Sequence, residues 1–275
     1  MLDVSPVPVP LPFLPSDLAP GDLRSASLDL SGFRFDRIRA FDDPLFESGY
    51  AQLWQAFGAG NEMERRETLA LRFNLVPRLL YEMILVRRDG EFVAVRDHTA
   101  IRTRDGAQAV VHLSHNLVAP AARRTGLAGW LRALPVQAGR ECLAGNNGPI
   151  TLIAEMEYDD GRDPDRAIRL RAYEKAGFVK IDPRFVDYHQ PDFRAPAEID
   201  ATGGARPLRF QLLIRRVGRE EERTITGQEI RTLVQALYDI YGPQFRPHDM
   251  AHPLLDVARL PVPEAIVALV PPTQC

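Results

Sequence analysis

Lysine is almost missing from this chain. Lys175 and Lys180 are the only two in 275 residues, and arginine supplies the remaining basic charge. GC-rich codons produce such a bias without a functional cause, so it implies no partner. Cysteine is equally scarce, at Cys142 and Cys275. That excludes a disulfide framework or a cysteine zinc cluster and fits a reducing cytoplasm. No stretch reaches the roughly 18 apolar residues of a membrane span, and the N-terminus lacks the basic region and unbroken apolar core of a signal peptide. A cytoplasmic protein without membrane contact is expected. The net charge of −3 provides no field to gather nucleic acid, so none is expected as a partner.

What is present is an ordinary globular composition, 45% hydrophobic and 26% charged, long enough to bury a large core. Three stretches differ in character. Residues 1–30 open with Pro6, Pro8, Pro10, Pro12, Pro15 and Pro20, a spacing that predicts an extended polyproline-type arm lying on its own domain or a neighbouring subunit. Residues 31–216 alternate strand and helix patterns. Residues 217–275 read as a helical extension. Its helix opens on a Thr226–Glu229 capping box and carries Ile230, Leu233, Val234, Leu237, Tyr238 and Tyr241 on one face. The apolar, proline-punctuated tail after it must pack on the main domain or on a second subunit, which leaves a homodimer open.

Within the middle stretch, Phe33–Arg39 alternates as a strand and two helical patterns follow. Then come strands over 81–87, 91–101 and 109–118, the first pair joined at Arg88-Asp-Gly90, a tight hairpin. A helix starts near Gly126, with Pro135 predicted to kink or divide it. A strand over 151–156 should run parallel to the one ending at Val118, because a helix separates them. A helix over 166–176 stops at Gly177, and strands over 179–186 and 208–216 close the series.

The chemistry concentrates at Val118-Ala-Pro-Ala-Ala-Arg-Arg-Thr-Gly-Leu-Ala128. A strand end, a turn and a helix start leave backbone NH groups and a positive dipole end facing an anion. The NH groups of Arg124, Thr125, Gly126, Leu127 and Ala128 are the candidate donors, and the side chains of Arg123 and Arg124 can add charge-assisted bonds. Gly126 and Ala128 are small, which lets phosphate oxygens approach the backbone. The competing reading is a small-residue helix start with solvated arginines.

Two motifs in this setting, Arg123-Arg-Thr-Gly126-Leu-Ala128 and Tyr173-Glu-Lys-Ala-Gly177-Phe178, together resemble the GNAT-type N-acetyltransferase superfamily over about residues 33–216. The resemblance implies a mixed, mostly antiparallel α/β sheet flanked by helices, of the acyl-CoA N-acyltransferase type. It implies acetyl-CoA as co-substrate and a small-molecule or peptide amine as acceptor, while the scarcity of cysteine leads to no expected metal. The backbone around Leu117 and Val118 would then pair with pantetheine and polarise the thioester carbonyl. Tyr173 would protonate or hydrogen-bond the leaving thiolate; its competing reading is a tyrosine packed at a helix end. The helix over Asp165–Ala172 departs from the family wording, with no counterpart to its usual asparagine.

The amine's proton needs a base. Glu155, on the strand after the phosphate turn, is the candidate, with His112, His115 and the remoter His98 as rivals. Strand alternation puts His112, Ser114 and Asn116 on the Val118 side and His115 on the other. Neither cysteine has a nucleophile's setting, so direct transfer is expected. A non-catalytic acyl-CoA-binding module is the alternative. The acyl-homoserine-lactone synthases share the fold, but their acidic, tryptophan-containing N-terminal signature is not found.

Overall fold

The structure is a computed structural model and describes residues 14–74 and 78–274. Pro6, Pro8, Pro10, Pro12 and Cys275 lie outside the described residues.

Among the described residues, ten strands form one sheet. β1 (Phe33–Ile38), β2 (Leu79–Arg88), β3 (Glu91–Arg102) and β4 (Ala109–Val118) make an antiparallel meander. The hairpin at Arg88–Gly90 forms as expected, with Asp89 and Gly90 both at positive φ, 53° and 85°. Beyond β4 the order continues through β5 (Ile150–Met156), β8 (Leu208–Arg216), β6 (Val179–Ile181), β10 (Ile266–Val270) and β9 (Thr224–Thr226), with β7 (Tyr188–Gln190) also pairing with β8. β4 and β5 are the one parallel pair among the described strands. The mixed, mostly antiparallel sheet flanked by helices is the architecture that the motifs implied.

Helices cover both faces. α3 (Leu127–Cys142) and α4 (Pro164–Lys175) pack on one, where Val111, Leu113 and Leu152 meet Val136, Ala138 and Leu170. α1 (Phe46–Phe57), α2 (Arg66–Arg72) and α6 (Gly227–Tyr241) pack on the other. A six-residue α5 (Pro196–Ala201) and α7 (Ala251–Arg259) complete the set. Burying the Leu233, Leu237 and Ile230 side chains of α6 contributes about 1.5–3 kcal/mol each, which holds residues 227–241 on the sheet.

Four expectations need correction. α3 is not divided at Pro135: it runs unbroken to Cys142 with the proline buried. Losing one backbone bond costs about 3 kcal/mol, and the burial of Leu127, Leu131, Leu134 and Val136 along the same helix outweighs it. The strand expected over 179–186 is confined to Val179–Ile181, because Asp182 to Phe185 turn back, with the Phe185 NH bonded to the Asp182 carbonyl at 3.0 Å. Leu208–Arg216 is not the last strand. Ile266–Val270 alternates exposed and buried and adds β10, and β9 precedes α6, so the extension is not purely helical. The described part of the arm is not extended either: Pro15–Asp17 and Pro20–Ser27 coil into 3-10 turns. Asp17 pairs with Arg140, Asp22 pairs with Arg132 at 2.6 Å, and Arg215 donates to the Asp17 carbonyl at 2.8 Å. These pairs require folded turns on the domain's own surface. No helix among the described residues is long and apolar enough to cross a membrane.

Candidate active site

The parallel pairing of β4 with β5 runs from Ala109↔Ile150 to His112↔Ile153 and stops there. Past it, Leu113–Val118 and Ala154–Met156 diverge, because β4 stays on β3 while β5 stays on β8. A cavity of about 200 Å³ occupies the gap. On the α3/α4 face it is lined by Asn116, Arg132, Ala172 and Tyr173. On the α1/α6 face it is lined by His112, Glu155, Glu62, Phe193 and Tyr241. The lining therefore comes from both faces of the sheet.

At the α3 end, the turn has two residues at positive φ. Arg124 has φ 62° and Gly126 φ 99°, where a Cβ is strained. The NH groups of Arg124, Thr125 and Gly126 donate to no atom of the described residues. Arg123 and Arg124 are exposed beside them, with Arg123 Nε donating to the Val118 carbonyl at 3.2 Å. Leu127 is a core residue whose NH faces Thr125 Oγ1 at 3.4 Å, and Ala128 starts the first helical turn. The arm presses on the far flank. Ser25 Oγ donates to the Gly126 carbonyl at 2.8 Å, and a Cβ on Gly129 would meet Ser25 Oγ at 2.2 Å.

The backbone of Leu117 and Val118 divides between two strands. The Ala119 NH bonds to the Val93 carbonyl at 2.9 Å. Alternation of an antiparallel ladder then gives the groups of Leu117 to β3 and turns those of Asn116 and Val118 toward the gap. The Leu117 side chain packs in the α1 cluster. Asn116 and the NH of Val118, rather than Leu117, carry the free edge, while the Val118 carbonyl accepts from Arg123.

Tyr173 stands at the C-terminal end of α4. Gly177, at φ 82°, closes the helix with Phe178 NH to the Tyr173 carbonyl at 3.0 Å and Gly177 NH to the Glu174 carbonyl at 3.0 Å, a Schellman arrangement. Phe178 meets the Tyr173 ring edge-on at 4.8 Å. The tyrosine lines the gap from there. Behind it lies Arg96, fully buried, with all three guanidinium nitrogens unpartnered. Burial pulls its pKa below the usual arginine range against the pull of the Tyr173 phenol beside it.

Glu155 is the hub of the opposite face. Its carboxylate accepts from His112 Nε2 at 3.0 Å, from the Tyr241 hydroxyl at 2.8 Å and from the Tyr188 hydroxyl. Burial would raise its pKa, but His112 and the two hydroxyls hold it below the ordinary carboxylate value. Burial and the Glu155 charge hold both phenols well above theirs, so they remain donors. The other ring nitrogen of His112, Nδ1, faces Ser114 Oγ at 3.3 Å.

The alternation expected along β4 is broken. Thr99↔His112 and Asp97↔His115 leave one residue on β3 opposite two on β4, a bulge. Beyond it the faces switch. His112 therefore packs edge-on against Tyr241 of α6, and His115 against Phe57 of α1, on one face. Val118 lies on the other with Leu127 and Leu131. His112 does not share the Val118 side.

His115 is spent on structure. Nδ1 bonds to Asp97 and Nε2 to the Glu62 carbonyl, both at 2.9 Å, so both nitrogens donate. Burial works against charging the ring, yet Asp97 raises its pKa to about 9. The remoter rival His98 is fully buried on the α3 face near Glu82, its pKa driven well down by burial and by Arg96. Neither has a free basic nitrogen on the gap.

Thus the structure brings Glu155, His112 and Tyr173 around one cavity, with the 124–126 turn at the end of the strand that borders it. Tyr188, Tyr241, Phe193 and Glu62 were not singled out as site residues from the sequence. Tyr241 reads there as one more apolar position of α6, and nothing in spacing links positions 155, 188 and 241. Gln190, at the end of β7, and Phe193 after it line the same cavity.

No family model matches the chain, and no curated protein matches it in sequence. Solved structures that align with it include GNAT-type acetyltransferases, the superfamily that the motifs resemble. Arabidopsis thaliana Naa50, solved with a bisubstrate analogue, aligns over 67% of this chain and 98% of its own at 11% identity and a TM-score of 0.41. A putative GNAT-family acetyltransferase of Desulfovibrio desulfuricans aligns over 67% and 99% at 16% identity and 0.38. An aminoglycoside acetyltransferase from a soil metagenome, solved with sisomicin, aligns over 51% and 89% at 14% identity and 0.36.

Proposed function

We propose that the chain is an acyl-CoA-dependent N-acyltransferase that passes an acetyl or other short acyl group directly to an amine. The observation that carries this reading is the parting of β4 from β5 after His112↔Ile153. It leaves an uncommitted backbone edge that borders a cavity, with a turn of undonated NH groups at the end of the same strand. Arg124, Thr125 and Gly126 would hold the pyrophosphate, with Arg123 and Arg124 adding charge. Asn116 and Val118 would hydrogen-bond the pantetheine and the thioester carbonyl. When bound, acetyl-CoA supplies the activated acyl group.

The acceptor enters from the α1/α6 face. There Glu62 makes no ion pair among the described residues, and burial and the Glu157 charge push its pKa up. Phe57, Phe193, Phe210 and Tyr241 supply apolar walls. This lining suits a small-molecule or peptide amine that carries positive charge beside an apolar body. Glu155, with its oxygens taken by three donors, orients His112 rather than acting as the base. Nε2–H is fixed on the carboxylate, so Nδ1 is the basic atom and takes the amine proton, directly or through the Ser114 hydroxyl. The amine nitrogen then bonds to the acyl carbon, the carbon–sulfur bond breaks, and the Tyr173 hydroxyl donates to the departing sulfur. Cys142 has no part: its thiol donates to the Arg78 carbonyl at 3.0 Å, and burial pushes its pKa up. We take the cytoplasm, where acyl-CoA is plentiful, as the compartment.

The test is release of free CoA from acetyl-CoA across a panel of amines, read with a thiol reagent. Release that depends on an amine supports transfer. Binding without release across the panel would favour an acyl-CoA-binding module.

A further inference from the structure

A second cluster lies away from the cavity, where α7 crosses β7. His252 and Asp256 are one helical turn apart and so share a face of α7. His189, the middle residue of β7, meets them from the sheet. One ligand atom from each of the three lies within 4.8 Å of the other two. His189 Nδ1 and Asp256 Oδ2 stand 3.0 Å apart, and the His189 and His252 rings meet edge-on with centroids at 4.4 Å.

The carboxylate provides the independent sign. Asp256 is 2% exposed, yet only Oδ2 is engaged, by His189 and by the Tyr238 hydroxyl at 3.3 Å. Oδ1 is buried and has no partner. An unpaired oxygen on a buried carboxylate costs free energy that a hydrogen bond or a cation would recover. Two imidazoles and one carboxylate are a ligand set for zinc-class divalent ions, with water completing the coordination.

We propose that His189, His252 and Asp256 form a site for a zinc-class divalent cation that clamps α7 onto β7. The ion would bind one nitrogen from each histidine and the Asp256 carboxylate, with the exposed His252 as the closing ligand. The site has a physical route to the cavity. Tyr238 bonds both the His189 carbonyl, at 3.1 Å, and Asp256, and its ring stacks on Tyr188 at 5.3 Å and 14°. Tyr188 in turn bonds Glu155. A cation there fixes the strand that carries Tyr188. The absence of cysteine ligands, which led to no expected metal, does not bear on such a site. The proposal is independent of the acyl-transfer reading.

The test uses the full chain, stripped with a chelator and desalted. Zinc is titrated by calorimetry, and cobalt(II) by its visible absorption. One zinc per chain is expected, together with the visible band of a four- or five-coordinate cobalt centre and a zinc-dependent rise in Tm. His252→Ala, at an exposed position, should retain the fold but weaken zinc binding by about tenfold or more and lose the rise in Tm. His248→Ala, at an exposed histidine outside the cluster, should bind as the parent does. Sub-stoichiometric zinc in the parent, or unchanged affinity in His252→Ala, would overturn the site.

Discussion

Two histidines on β4, three residues apart and on the same face, each hold a buried carboxylate, yet they serve different ends. His115 spends both nitrogens, one on Asp97 and one on the Glu62 carbonyl. His112 spends one on Glu155 and turns the other toward a serine hydroxyl at the cavity. Asp97 takes one further side-chain donor, the Tyr81 hydroxyl at 3.1 Å, and has Arg72 nearby. Glu155 takes two, both phenols that stay protonated. A buried histidine–carboxylate pair is therefore not in itself a catalytic dyad. What separates the two is whether the ring keeps a basic atom on a reachable space.

Exchanging the roles by mutation gives the largest contrast. In His112→Ala, turnover per folded molecule should fall by about a hundred- to ten-thousand-fold, as for loss of a positioned base, an effect separate from the stability lost by stranding the Glu155 charge. In His115→Gln the order should reverse: a loss of about 3–5 kcal/mol in stability from stranding the Asp97 charge, with turnover per folded molecule nearly kept. Chemical denaturation and steady-state kinetics on both variants check this. Equal kinetic losses would erase the distinction.

The pH dependence of stability sharpens it further. The pKa of His115 is raised from 6.5 to about 9, so its contribution is complete below pH 6.5 and disappears as pH rises through about 9. That of Asp97 is lowered from 3.8 to about 2, so its contribution is present above pH 3.8 and is lost as pH falls through about 2. Stability should thus decline between pH 6.5 and 9 by about 3 kcal/mol in the parent. Denaturant midpoints across that range should show the decline, and His115→Gln should flatten it. A parent curve that is already flat would mean that His115 is not held protonated.

The smallest effect is expected on the opposite face of the gap. Tyr173→Phe removes one donor near the departing sulfur and should lower kcat by about tenfold, with acetyl-CoA affinity nearly unchanged. Equal loss of both, measured by calorimetry beside kinetics, would make the tyrosine a packing residue of the α4 end.

Much of the fold was legible from local rules. The Asp89-Gly90 hairpin, the helix stop at Gly177 with Phe178, and the parallel step from β4 to β5 all follow from short-range patterns. The NH-rich turn at 124–126 was legible for the same reason, since one strand end and one helix start build it. The dyad was not. Glu155 and His112 were both named, but the bulge that turns His112 toward Glu155 inserts one residue into β4 and leaves no mark in composition. The two phenols on Glu155 come from β7 and α6, 33 and 86 positions away. β10 was missed because Ile266–Val270 reads as an apolar tail until β6 and β9 flank it.

Acetyl-CoA binding at the turn after β4 is the central claim, and calorimetric titration of the parent and of Gly126→Glu tests it most directly. The variant forces a side chain onto backbone at φ 99° and against Ser25 at 3.5 Å, which deforms the turn that presents the NH groups, and circular dichroism checks that it remains folded. One acetyl-CoA bound per parent chain and none detectable in Gly126→Glu is the expected result. A parent that binds no acetyl-CoA, or a folded variant that binds it as well as the parent does, would contradict it.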